Sequence, residues 1–298
     1  MPTKAQIDRY TRSIDPRLDS ESEKVIRELR QFFTRFFDRF NSEILAAELA
    51  NPGSVLSELG ETLRPRVFGI AEEAGAVNLI STYQQSFNNV GKHALEYFPL
   101  FGYKADLSGV DVDAIAVTRK VFRNELREMI NQKLFRPLEQ QVTSSFITHK
   151  DRAVAVGEIK EVIDSEGILN KRGGQFTNNN IEVLISDSHA RFHRIVRDQK
   201  AQAAGLNILT YEGPEDRKRR PACKYLQLTA PHGARGFWYR DEVTVNLRPD
   251  LFDQPPIVAG GGWNCRHWWS PVSLEFAEGF GFIPDPNRSE PEVTADAI

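Results

Sequence analysis

Apolar positions early in the chain repeat at helical spacing. Between Ser20 and Ala50, the residues Ile26, Leu29, Phe33, Phe36, Phe37, Phe40 and Ile44 fall on one stripe, which predicts an amphipathic helix. Asn51-Pro52-Gly53 supplies its stop. The aromatic run FFTRFFDRF fits either a docking strip or a core face. Aromatic side chains repeating with the helix period favour the core. Residues 54–98 predict one or two more helices, with a break or kink near Pro65. A loop over 99–112 precedes a helix over 114–143, with Val117, Val121, Leu126, Ile130 and Leu134 as inward positions. Pro137 is expected to bend or end it.

The texture changes near Phe146. A short helix over 154–163 and a glycine loop at Lys171-Arg172-Gly173-Gly174 lead into a long helix over 177–204. Ile181, Leu184, Ile185, Phe192, Ile195 and Val196 form its inner face. Thr177 is a candidate N-cap, and Gly205 stands where a terminating glycine belongs. Beyond Gly205 the period shortens to two. Asn207–Tyr211, Gly236–Tyr239 and Val243–Val245 read as strands between proline-rich turns. The expected fold is α+β. A helical N-terminal domain covers 1–145, a small domain with a long helix and short antiparallel strands covers 146–283, and a mobile acidic tail covers 284–298.

Composition narrows the function classes. The 298 residues are 40% hydrophobic and 27% charged, enough for a sizeable core. A net charge of −3 excludes a surface that is basic all over, although a local basic patch stays open. The opening MPTKAQIDRYTRSID lacks the apolar run of a signal peptide, and no stretch approaches the ~18 apolar residues of a membrane span. Synthesis in a reducing cytoplasm, with no membrane partner, is the expectation. Two cysteines exclude a disulfide scaffold.

Four features carry candidate chemistry. HARFH places His189 and His193 at i and i+4, a spacing that suits a metal. Ala190 stands where a zinc protease needs glutamate, so a pair of surface or half-buried histidines is the favoured reading. In DRKRRP, the residues Arg217, Lys218, Arg219 and Arg220 could contact DNA or a phosphate, against the blander reading of a solvated loop. Cys223 and Cys265 each lie beside a proline or glycine turn, with His232 and His267 near in sequence. Buried thiols, a metal site built on Cys223, Cys265, His267 and His232, and a disulfide all remain open, with buried thiols favoured. The fourth feature is the run GGGWNCRHWWSP from Gly260 to Pro271. No phosphate-binding loop, nucleophile elbow or dinucleotide fingerprint is present, so neither enzymatic activity nor a cofactor is expected.

The order of the later elements carries a resemblance. ISDSHARFHRIVRDQKAQAAG, ILTYEGPED, RKRRPACKYL and PPIVAGGGWNCRHWWSPV follow one another between Phe176 and Val272. This series resembles the C-terminal domain of the phage Mu F-like head-morphogenesis family, the minor head proteins of tailed phages. In that family a strand leads to an aspartate, a basic or hydroxyl residue and a cysteine, and a Pro-Pro step and an Asn-Cys-Arg triplet close the domain. The matching positions are Asp216, Arg220, Cys223, Pro255, Pro256, Asn264, Cys265 and Arg266. The chain departs from many relatives in having Gly-Gly-Trp before the triplet, where they have histidine. It also has His267 where they have another cysteine, and Ser186-Asp187 where they often have threonine and glutamate.

The resemblance implies a structural protein of the virion. Its place would be the capsid interior near the portal, after assembly in the host cytoplasm. Its partners would be the portal protein, the scaffold or major capsid protein, and packaged DNA. A non-specific nucleic-acid-binding module and a genome-delivered effector enzyme are the alternatives. Under this reading the glycine–tryptophan run is a clasp made of Cys223, Cys265, Arg266, Asp216, Asn264 and Trp263. Gly260 to Gly262 allow close backbone approach, Asn264 closes a turn, and Arg266 pairs with Asp216. Trp263, Trp268 and Trp269 add buried area. The two cysteines are expected close together although 42 positions apart in sequence (265 − 223).

Overall fold

A computed structural model of the chain describes residues 2–40, 42–43, 65–147, 154, 177–214, 219–245, 248–252, 255–261, 265 and 267–288. It is α+β, as the hydrophobic pattern predicts. Contacts divide the chain into two compact units. One joins Met1–Glu21, Phe87–Arg119 and Ser186–Ile298, and the other joins Ser22–Ser86 and Lys120–Ile185. The units therefore interleave along the sequence and do not follow the linear division into 1–145 and 146–283.

Helix α1 spans Lys4–Phe40 and starts well before the expected Ser20. A capping box opens it. Thr3 Oγ1 accepts from Gln6 N at 3.3 Å, and Thr3 N donates to Gln6 Oε1 at 2.7 Å. Its buried stripe, Ile7, Thr11, Ile14, Leu18, Val25, Leu29, Phe32, Phe36 and Phe40, keeps the helix period throughout. Pro16 lies on the exposed side of that stripe.

In the second unit the aromatic run is core, as favoured from the sequence. Phe32, Phe33, Phe36, Phe37 and Phe40 are at most 2% exposed. Helix α2 covers residues 65–73, and α3 covers Ala76–Leu95. Helix α4, Val112–Ile130, buries Ile115, Phe122, Leu126 and Ile130. The expected inward positions Val117 and Val121 are exposed, because at about 100° per residue they lie about 160° round the helix from Ile115 and about 100° from Phe122 respectively. Pro137 does not end the helical run. A π-turn over Asn131–Phe135 precedes it, with Arg136 N reaching back to Asn131 O, and α5 continues over Arg136–Ile147. The wider turn makes room for a ring that lacks an N–H and crowds the preceding carbonyls. Phe135 packs edge-on against Phe36 at 5.8 Å and Phe68 at 5.2 Å. The expected stop at Asn51-Pro52-Gly53, the helix over 155–163 and the loop at Lys171–Gly174 lie outside the described residues, as do Ile44 and the side chains of Leu134 and Thr177.

The first unit contains the sheet. Helix α6, Thr177–Ala203, closes at Gly205, where φ is +68° and Leu206 N donates to Ala201 O at 2.9 Å. Strands β1 (Ile208–Glu212), β2 (Phe237–Tyr239) and β3 (Trp268–Val272) pair antiparallel in the order β2-β1-β3. Pleating assigns Leu209, Tyr211, Trp238, Trp269 and Pro271 to one face. Ile208, Thr210, Glu212, Phe237, Tyr239, Trp268 and Ser270 take the other.

The second of these faces meets α1 and α6. Thr11 Oγ1 donates to Glu212 at 2.9 Å, Trp268 Nε1 to Asp15 at 2.8 Å, and Arg197 Nη2 to Ser270 Oγ at 3.3 Å. The first face carries the short helices α7 (Pro221–Leu228) and α9 (Pro256–Ala259). Between β2 and α9, the expected strand at Val243–Val245 is absent: Val243 and Thr244 end helix α8, Arg240–Thr244, and Val245 is the residue that follows it. Glu242 Oε2 caps it by accepting from Tyr239 N at 2.9 Å, and this buries Val243 while leaving Val245 exposed. After β3 comes α10, Leu274–Glu278, capped by Ser273. The start of the expected tail is held. Asp285 N donates to the Tyr239 hydroxyl at 2.8 Å, and the Arg288 guanidinium lies 4.0 Å from the centre of that ring. Residues 289–298 lie outside the description.

Candidate functional site

The two cysteines meet on the Tyr211 face of the sheet. β1 is the central strand and β3 its antiparallel neighbour, so Glu212 pairs with Trp268 and the chain leaving β1 lies beside the chain entering β3. Pro221 starts α7 at the position where a missing N–H does no harm, and Cys223 falls in the first turn. Cys265 comes two residues before His267 and just ahead of β3. The sulfurs are 3.8 Å apart, and both residues are buried as free thiols.

Several groups converge on the pair. The Tyr211 hydroxyl is 3.4 Å from Cys265 Sγ and 3.8 Å from Cys223 Sγ. His267 Nδ1 is 3.8 Å from Cys265 Sγ, and its ring stacks on Tyr211 at 5.3 Å with 8° between the planes. Gly261 N and His267 N both donate to Cys265 Sγ, at 3.1 and 3.4 Å. Arg194, from α6, fixes the backbone of this turn. Its Nη2 donates to the carbonyls of Cys265 and His267 at 2.7 and 3.2 Å, and its Nη1 to Val258 O at 3.2 Å. The same guanidinium lies 4.8 Å from the Trp268 ring centre.

The glycines have a steric purpose. A Cβ on Gly261 would stand 2.1 Å from Cys223 Sγ. Gly260, at φ +58°, would place one 3.1 Å from Cys265 Sγ. A Cβ on Gly213 would lie 2.5 Å from the His267 ring. The close approach expected at Gly260–Gly262 is thus to sulfur at the two described positions.

Their mutual contact drives the two thiols in opposite directions. The Cys223 thiol, together with His267 and the Arg194 charge, holds Cys265 well below the ordinary thiol range. Hydrogen bonding to Cys265, then burial, drives Cys223 the other way. Burial, followed by the charge of the neighbouring sulfurs, raises Tyr211 well above the usual phenol.

The remaining sequence candidates separate. His232 does not reach the sulfurs. Its Nε2 is 2.8 Å from Glu242 Oε1, and its ring packs on Tyr239 and Phe282, on the opposite face of the sheet from Tyr211. Arg219 Nη1 donates to Gln227 at 2.9 Å, and Arg220 Nη1 to Gly261 O at 3.4 Å, so both basic side chains also brace the fold. Arg217, Lys218, Asp216, Trp263, Asn264 and Arg266 lie outside the described residues, and with them the expected Asp216–Arg266 pair. His189 packs edge-on against Phe87 at 5.2 Å and His193 against Trp268 at 5.1 Å, so each histidine has its own aromatic neighbour.

Among the described residues, Cys223, Cys265 and His267 form a group whose ligand atoms all lie within 4.8 Å of one another. Sequence reasoning missed Tyr211, Arg194 and the specific need for Gly261. Arg194 left a trace, since Arg191, Arg194, Arg197 and Lys200 recur every third position on α6, and the last three are buried. Comparison with protein-family models, curated proteins and solved structures finds no match.

Proposed function

We propose that the chain is a minor head protein of a tailed phage, bound inside the capsid at the portal, where it aids head assembly and DNA packaging or delivery. The observation that carries this reading is the ordered motif series between Phe176 and Val272. Its described members work together in the fold. Cys223, Ile257 and Cys265 share one core with Tyr211 and Trp269, and the Pro256 carbonyl accepts from Trp269 Nε1 at 2.8 Å. Residues scattered over the series thus build a single junction, which supports one folded module over a chance string of short matches. Burial of the cysteines and His267 to at most 6% exposure supports a structural junction over a site that receives substrate.

The test is to isolate heads from cells infected with the parent phage, probe them for this chain, and co-purify it with that phage's portal protein for imaging. The expected result is a few copies at the portal's inner face. Heads that contain the portal but not this chain would overturn the reading.

A further inference from the structure

We propose that Cys223, Cys265 and His267 bind a soft divalent metal ion of the zinc class, with the Tyr211 hydroxyl at the fourth corner. The argument starts from distances. A tetrahedral zinc with Zn–S near 2.3 Å and Zn–N near 2.0 Å requires S···S edges of about 3.8 Å and S···N edges of about 3.5 Å. The sulfurs are 3.8 Å apart, and Cys265 Sγ is 3.8 Å from His267 Nδ1. The Tyr211 oxygen is 3.4 and 3.8 Å from the two sulfurs. A disulfide would need the sulfurs at about 2.05 Å.

Further observations agree with a metal. Cys265 Sγ accepts two backbone N–H groups, which stabilise a thiolate. Two thiolates would balance a divalent charge in a buried core. Arg194 holds the carbonyls of both Cys265 and His267, fixing the turn that presents the two ligands. On binding, both sulfurs are thiolates, their protons pass to solvent, and no electron is transferred. Because Gly261 leaves space beside Cys223 Sγ that any Cβ would occupy, the geometry also accounts for a glycine at that position. The inference is independent of the portal reading.

The test uses the full-length chain, purified reduced, stripped with a chelator and titrated anaerobically with cobalt(II). One equivalent is expected to produce a thiolate-to-cobalt charge-transfer band and the intense visible bands of a tetrahedral ion, both bleached by zinc. Cys223→Ser, Cys265→Ser and His267→Gln should each weaken binding by more than the ~10–100-fold that loss of an outer partner brings. Tyr211→Phe should retain the charge-transfer band and alter the visible bands. In the unmutated chain, zinc should also protect both thiols from a thiol-alkylating reagent, a readout that does not depend on any variant folding. Absence of a saturable cobalt band in the unmutated chain, or equal thiol reactivity with and without zinc, would overturn the site. Visible bands unchanged in Tyr211→Phe would overturn the fourth corner.

Discussion

The buried histidines of α6 make a sharp prediction about acid. His189 is held down to about 3, chiefly by burial and against the pull of Glu21. His193 is pushed well below its ordinary value by burial and by the charges of Arg197, Arg194 and His93. Neither ring nitrogen of His193 has a hydrogen-bond partner. In the unfolded chain both histidines titrate near 6.5. Above that pH both states are neutral and there is no effect. As pH falls below it, the unfolded chain takes up protons that the folded chain refuses, so stability declines. The loss continues down to about 3 for His189 and at least through the weakly acidic range for His193. At pH ~5, RT ln(1 + 10^1.5) gives about 2 kcal/mol for His189, and His193 adds a further loss in the same direction. Against a total of roughly 5–15 kcal/mol, that is a large share. Urea unfolding at several pH values between about 7 and 5 measures it. His193→Phe keeps an aromatic ring beside Trp268 and removes one titration, so the pH-dependent loss should shrink. A loss of the same size in that variant would refute the assignment, whatever the variant does to stability at neutral pH.

Two further perturbations test the packing. Gly261→Ala puts a methyl group 2.1 Å from Cys223 Sγ and should destabilise the protein by about 1–3 kcal/mol in urea unfolding, whereas Gly69→Ala, with nothing within 4 Å, should be neutral or stabilising. Removing residues 1–18 deletes Ile7, Ile14 and Leu18, worth about 5–9 kcal/mol of burial as an upper bound, together with the Thr11–Glu212 and Asp15–Trp268 bonds. The truncated chain should lose the near-ultraviolet circular dichroism of its packed tryptophans, and a soluble product with an unchanged spectrum would contradict this.

That truncation also shows how far the sequence could be read. The Phe-rich helix invites the idea of a detachable docking arm, because its aromatic stripe looks larger than a small core could cover. Among the described residues the stripe is instead covered, and its weaker continuation toward the N-terminus, Ile7, Thr11, Ile14 and Leu18, is buried as well. The Thr3–Gln6 capping box and the unbroken period were both legible. Pro16 is the signal that argues the other way, and it is tolerated because it faces outward. Val117 and Val121 show the reverse error, since apolar identity was taken for inward direction without checking the phase against Ile115 and Phe122. Strand Val243–Val245 failed because β propensity over three residues is weaker than the local cap that Glu242 provides.

The cysteine junction was legible as proximity but not as chemistry. A chain that leaves a central strand and later enters its antiparallel neighbour brings the flanking residues together, so Cys223 and Cys265 had to be near one another once β1 and β3 paired. The third participant could not be chosen from spacing. His232 and His267 are both close in sequence to a cysteine, yet His232 packs on Tyr239 and His267 on Tyr211, tyrosines on opposite faces of the sheet, and pleat phase depends on a register that three short strands do not specify alone. Arg194 was harder still, because an arginine every third residue normally marks a solvated stripe. Here the stripe is buried, since the sheet supplies what guanidinium groups need: carbonyls of Cys265 and His267, the Ser270 hydroxyl, and the faces of Trp268 and Tyr97. Charge on a helix therefore reports its partner's polarity as much as its own exposure, and the partner becomes visible only when the strands are placed.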